Sequence, residues 1–264
     1  MVDASYRTWF ALFFWSIFTH PILDCFTSWG TQVFQPFSDL RVQWCTVSVV
    51  DPICTIPFLI TLIVASRIST SNPARAWWNW AGFVWFCGYL LVYNLWHKSV
   101  VNRTFEATLA AKNIEYQRYY TNPTLFNNIV WSCLAESDTA YYFGLYGFND
   151  CRREVGPISV IPKNHQLLDR VPPDSRAGYF LRWFSNGYYN VMPYRGDTLQ
   201  VNDLRFGLLG DSLTGKNYVF PFLVFKNEMG EWDVLLNNRN KENMEISRNA
   251  FGELWQRVKS GRCQ

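Results

Sequence analysis

The chain has 264 residues, with 24 Lys+Arg against 21 Asp+Glu, 49% hydrophobic residues and 18% aromatic ones. Only 17% of the residues are charged and the net charge is +3, which excludes a disordered chain, a coiled coil and a basic nucleic-acid-binding scaffold. Residues 1–97 hold four Lys/Arg and four Asp/Glu, residues 98–264 hold twenty and seventeen, and nine of the thirteen tryptophans fall in the first part. Indoles gather at lipid–water boundaries, so the lipid bilayer is the expected partner of the first part and water that of the second.

In chain order, residues 8–26 form an apolar run long enough to cross a bilayer core, but His20, Pro21 and Asp24 interrupt its second half. Residues 27–51 carry Gly, Pro and Ser punctuation and read as an ordered re-entrant or surface loop. A 15-residue uncharged run follows between Asp51 and Arg67, and residues 76–96 form a 21-residue uncharged run between Arg75 and Lys98. About three apolar helices are therefore expected in 1–98. The positive-inside rule leaves their orientation open, because Arg7, Arg67 and Arg75 fall on one side and Arg41, Lys98, Arg103 and Lys112 on the other.

Beyond Lys98 the pattern becomes that of a water-soluble α+β domain, 99–264. A helix is expected over 99–117. Strands are expected over 129–135, 139–148, 158–161, 187–192, 198–209, 218–225 and 232–237, each bounded by turn signals. Alternation in these runs predicts a mainly antiparallel sheet with one wet face. A helix near 175–185 and a C-terminal amphipathic helix with Phe251, Leu254 and Val258 inward complete the domain. The seven cysteines are odd in number and contain no CxxC pair, which argues against a disulfide framework and a Cys-based zinc site. No signal-peptide layout is present at the N-terminus.

The local signal for chemistry is His20-Pro-Ile-Leu-Asp24. Positions i and i+4 share a helix face, so the imidazole and the carboxylate can converge on one metal ion, or simply hydrogen-bond to each other at a helix end. Asp51 precedes Pro52 and reads as a helix cap or as an acceptor that orients His20, with a metal ligand as the third option. Thr27, Gly30, Thr31 and Gln32 could line the same pocket. Asn127 and Asn128 read as turn residues. Ser132 with His165 would suggest a serine hydrolase, but no G-x-S-x-G elbow exists.

The run from His20 through Asp24, Thr27, Gly30, Thr31, Gln32, Pro36, Phe37, Ser38, Asp51, Pro52, Thr55 and Pro57 resembles the YdjM-like family of bacterial inner-membrane proteins read as metal-dependent hydrolases. Residues 119–148 resemble the C-terminal extension of its longer members. The resemblance implies a multi-pass protein of the bacterial inner membrane that hydrolyses a phosphoester or a lipid-derived ester with a divalent metal, zinc first and manganese second. His20 would be a ligand, and Asp24 a ligand or the catalytic base. Members usually carry a further apolar segment, an acidic motif and an H-R-G-x-x-H-S stretch ahead of the region of Tyr6, and these are not in this sequence. The expected site is therefore partial, from a start upstream of Met1 or as a remnant. The competing expectation is a non-catalytic membrane-anchored binding or structural protein.

Overall fold

A computed structural model describes residues 5–208, 218–237 and 242–263. The chain divides into two compact units, one of Met1–Lys98 with Leu125–Asn128 and one of Ser99–Thr124 with Ile129–Gln264.

In the first unit, α1 (Tyr6–Asp24) starts at Ser5, whose side chain accepts the Thr8 amide, and runs unbroken through Pro21. α2 (Pro52–Arg67) is capped by the Asp51 carboxylate, which accepts the Ile53 amide at 3.0 Å, with Pro52 at a position where a missing N–H costs nothing. α3 (Ala74–Gly88) passes through a π-helical turn, Tyr89–Tyr93, into α4 (Asn94–Ala111). Gly82 lies where α3 meets Thr61 of α2. Three helices are present where apolar runs predict them, yet they do not form an evenly packed bundle. α2 and α3 pack together, while α1 buries none of its residues and contributes only Leu23, in its last turn, to the cluster of Phe26, Val47, Cys54, Tyr89 and Leu90. Among the described residues, no helix is long and apolar enough to cross a membrane.

The second unit holds two four-stranded antiparallel sheets. The first has the order β1 (Arg118–Pro123), β2 (Val130–Glu136), β3 (Ala140–Gly147), β4 (Ser159–Pro162); the second has the order β5 (Tyr189–Pro193), β6 (Leu199–Leu208), β7 (Tyr218–Lys226), β8 (Trp232–Leu236). The expectation of one half-wet sheet is corrected here, and β2 shows why: all seven of its residues are buried. Trp131, Cys133 and Ala135 pack against Val101, Phe105 and Leu109 of α4, while Leu134 on the opposite face joins Leu204 and Tyr218 of the second sheet. A strand covered on both faces loses its alternation of polar and apolar residues. β1 was not foreseen from the sequence, and residue 209 of an expected strand lies outside the described residues.

α5 (Arg176–Ser185) is capped by Ser175 and covers the second sheet, where Leu181 meets Val191, Val201, Phe222 and Val224. α6 (Glu242–Ser260) closes the chain. Of its three expected inward residues Val258 is buried, Leu254 is half-buried and Phe251 is exposed. Cys151 and Cys263 form a disulfide, a correction to the expectation of unpaired thiols; the partners lie 112 residues apart, and no spacing rule reaches that far.

Candidate functional site

His20 and Asp24 occupy the last two turns of α1 and converge as their spacing demands, with Nε2 and Oδ2 3.4 Å apart. Their side chains are 76% and 44% exposed. The chain then turns back under control of the neighbouring residues. Thr27 Oγ1 donates to the Asp24 carbonyl at 2.8 Å and accepts the amides of Trp29 and Gly30, so it caps the helix end. Gly30 sits at φ +67°, in the left-handed region, where a Cβ would run into the Val42 carbonyl oxygen. Thr31 exchanges backbone hydrogen bonds with Val42 at 3.0 and 2.9 Å, and Gln32 donates to the Asp39 carbonyl. These residues shape the turn that follows the His–Asp pair.

Asp51 is engaged elsewhere. It is 3% exposed, caps α2 through Oδ1, and accepts the Tyr89 hydroxyl on Oδ2 at 2.7 Å. Its hydrogen bonds are those of a helix cap and a tyrosine acceptor; none goes to His20. Catalytic zinc takes three protein donors and a water. His20 and Asp24 provide two, and among the described residues no group of three or more His, Cys, Asp or Glu could hold a metal ion.

A second polar assembly in the same unit was missed by sequence reasoning. Tyr89, Tyr93 and His97 follow one another at intervals of four, with ring centroids 4.9 and 4.0 Å apart. They continue from the Asp51 carboxylate to Asn128, whose backbone and side-chain oxygens both lie 2.9 Å from His97 Nδ1. The Asn128 amide donates to the Thr46 carbonyl at 2.9 Å and to Asn94 Oδ1 at 2.8 Å, while Ser48 Oγ accepts the Phe126 amide. Asp51, Asn94, His97 and Asn128 are all buried. Asn94 Nδ2 has no acceptor among the described residues. The signal available in the sequence was Asn94 and His97 at the end of an uncharged run, where polar groups need partners. Their partner, Asn128, comes from the β1–β2 connection and read as a turn residue.

Residues 2–100 match the YdjM inner membrane protein family. The match takes in both assemblies except Phe126 and Asn128, and it agrees with the resemblance carried by the His20-to-Pro57 pattern. The family matched by this segment is described as one of inner membrane proteins. No curated protein and no solved structure matches the chain. Outside the YdjM segment, Ser132 bonds to Asn122 at 2.5 Å and His165 to the Tyr189 carbonyl at 2.7 Å. Among the described residues neither bonds to the other, so the serine-hydrolase pairing is absent.

Proposed function

We propose that the chain is a multi-pass inner-membrane protein in which α1 and the α2–α3 pair lie in lipid and anchor a water-exposed β-rich unit that acts as a binding or structural module. The observation that carries this reading is α1, which exposes Trp9, Phe10, Phe13, Phe14, Trp15 and Phe18 and buries nothing. A helix apolar on all sides is covered by protein or by lipid, and exposed apolar surface costs roughly 25 cal/mol per Å² in water. Its 19 residues give a length of about 28 Å, close to the hydrocarbon thickness. The surface is aromatic rather than aliphatic, which lowers its hydropathy and suits it to the lipid boundary. α2 has 16 residues and would sit in a locally thinned bilayer, while α3 gains length through the π-helical turn. Alkaline carbonate extraction of membranes carrying the full chain tests the reading. The protein is expected in the pellet, and its release into the supernatant would overturn the proposal.

A second reading, metal-dependent hydrolysis of a phosphoester or lipid-derived ester, is favoured by the convergence of His20 and Asp24. It requires at least one more donor than the described residues supply. Equilibrium dialysis of the purified chain with zinc or manganese decides it. Stoichiometric metal that is lost in His20→Ala supports hydrolysis, and a wild type that retains no metal removes it.

A further inference from the structure

The covalent link between Cys151 and Cys263 speaks to the side of the membrane on which the β-rich unit lies. Cys151 follows β3, and Cys263 lies three residues past α6. Their Cα atoms are 4.9 Å apart, within the usual span for a disulfide. Contacts independent of sulfur bring the two segments together. The Cys151 amide donates to the Arg262 carbonyl at 3.0 Å, the Arg262 amide to Asp150 Oδ1 at 2.8 Å, Asn149 Nδ2 to the Val258 carbonyl at 2.7 Å, and Arg257 pairs with Asp150 at 2.6 Å. The thiols would therefore be neighbours before any bond joined them.

Exposure separates this pair from the other five cysteines. Cys25, Cys45, Cys54 and Cys133 are buried and Cys87 is half-buried, whereas Cys151 and Cys263 are both exposed. An accessible pair of adjacent thiols takes its redox state from its compartment: reduced in the cytosol, joined in the bacterial periplasm.

We infer that the β-rich unit lies on the periplasmic side of the inner membrane, where an envelope disulfide donor oxidises Cys151 and Cys263. The step is a thiol–disulfide exchange. Two thiols lose two protons and two electrons as the Sγ–Sγ bond forms, and the donor's disulfide leaves as a dithiol. The inference rests on the membrane reading above. With α1, α2 and α3 as three crossings, it puts Arg7 and the Arg67–Arg75 connection on the cytoplasmic side. That connection carries two arginines and no acid, while the 24–51 segment on the other side carries Asp24, Asp39 and Asp51 against Arg41. Lys98, Arg103 and Lys112 join Arg41 on that other side, so the Lys/Arg count does not itself choose the orientation, and the disulfide alone carries the assignment.

The test uses the full chain in spheroplasts, with a membrane-impermeant maleimide that adds mass to each free thiol. The Cys151→Ser/Cys263→Ser double variant sets the background from the other cysteines. Two added labels are expected only after treatment with an impermeant phosphine reductant. Each single variant, Cys151→Ser or Cys263→Ser, is expected to take one label without reductant. Two labels on the untreated wild type, or labels that appear only after lysis, would overturn the inference. Carbonate extraction of the same samples keeps the two readings apart, because a chain that is released yet oxidised would remove the membrane reading and leave the compartment standing.

Discussion

Asp203 and Arg205 lie two residues apart on one face of β6, at 1% and 0% side-chain exposure. The guanidinium meets the carboxylate through Nη2–Oδ2 at 2.6 Å and Nε–Oδ1 at 3.1 Å, and it also donates to the Phe184 carbonyl. Removing one partner of such a pair leaves a charge buried without compensation. Asp203→Ala is therefore expected to destabilise the fold by about 3–5 kcal/mol, read from the urea midpoint of the purified chain. Glu136 is set in a comparable way: burial alone raises its pKa, but hydrogen bonds from Lys163 at 2.7 Å and Arg118 at 2.5 Å outweigh it and hold the carboxyl below its ordinary 4.5. Burial also holds the His165 imidazole below 6.5. Both groups bind protons more readily when unfolded, so both stabilise the fold at neutral pH and withdraw that stability as pH falls, His165 from about 6.5 and Glu136 from about 4.5. A thermal midpoint that declines across these two windows is expected, with the lower step absent in Glu136→Gln. At this scale the sequence discloses contacts between near neighbours. His20 and Asp24 are four apart on a helix and were legible, whereas Asp51 and Tyr89 are separated by 38 residues and meet only through folding.

Most elements were legible because apolar runs and the turn signals that bound them are local, and the observed helix caps are local too. Ser5, Asp51 and Ser175 each accept an amide of the first helical turn. β1 escaped because its sequence, RYYTNP, has no clean alternation and ends in Asn-Pro, a turn signal; pairing with β2 along its whole length makes it a strand. The contact between α2 and α3 rests on a residue without a side chain. A Cβ at Gly82 would collide with Thr61 Oγ1, which already donates to the Phe58 carbonyl at 2.7 Å. Small residues let helices approach in lipid as in water. Gly82→Ile is expected to separate α2 from α3 and lower the thermal midpoint in detergent by several degrees, while Gly88→Ala, where a Cβ meets no neighbour within 4 Å, serves as the neutral control.

For the molecule as a whole, the contrast between an apolar first part and a charged second part was plain from composition, but the way the chain is apportioned was not. Pattern reading assigns residues to units in one continuous stretch each. The structure instead takes Leu125–Asn128 out of the hairpin between β1 and β2 and gives it to the N-terminal unit. The split into two sheets was hidden for a related reason, since β2 is buried along its whole length and has no solvent-facing side to mark it.

The borrowed loop bears on how the protein is made. Asn94 leaves the ribosome 34 residues before Asn128, the side chain that bonds to it. The helices of the N-terminal unit can form as soon as they emerge, yet that unit stays unfinished until the hairpin has been translated. A nascent chain stalled short of residue 128 would present Thr46, Asn94 and His97 with their polar groups unsealed. Biogenesis of the two halves is thereby placed in a fixed order, with the second supplying the closing stitch of the first.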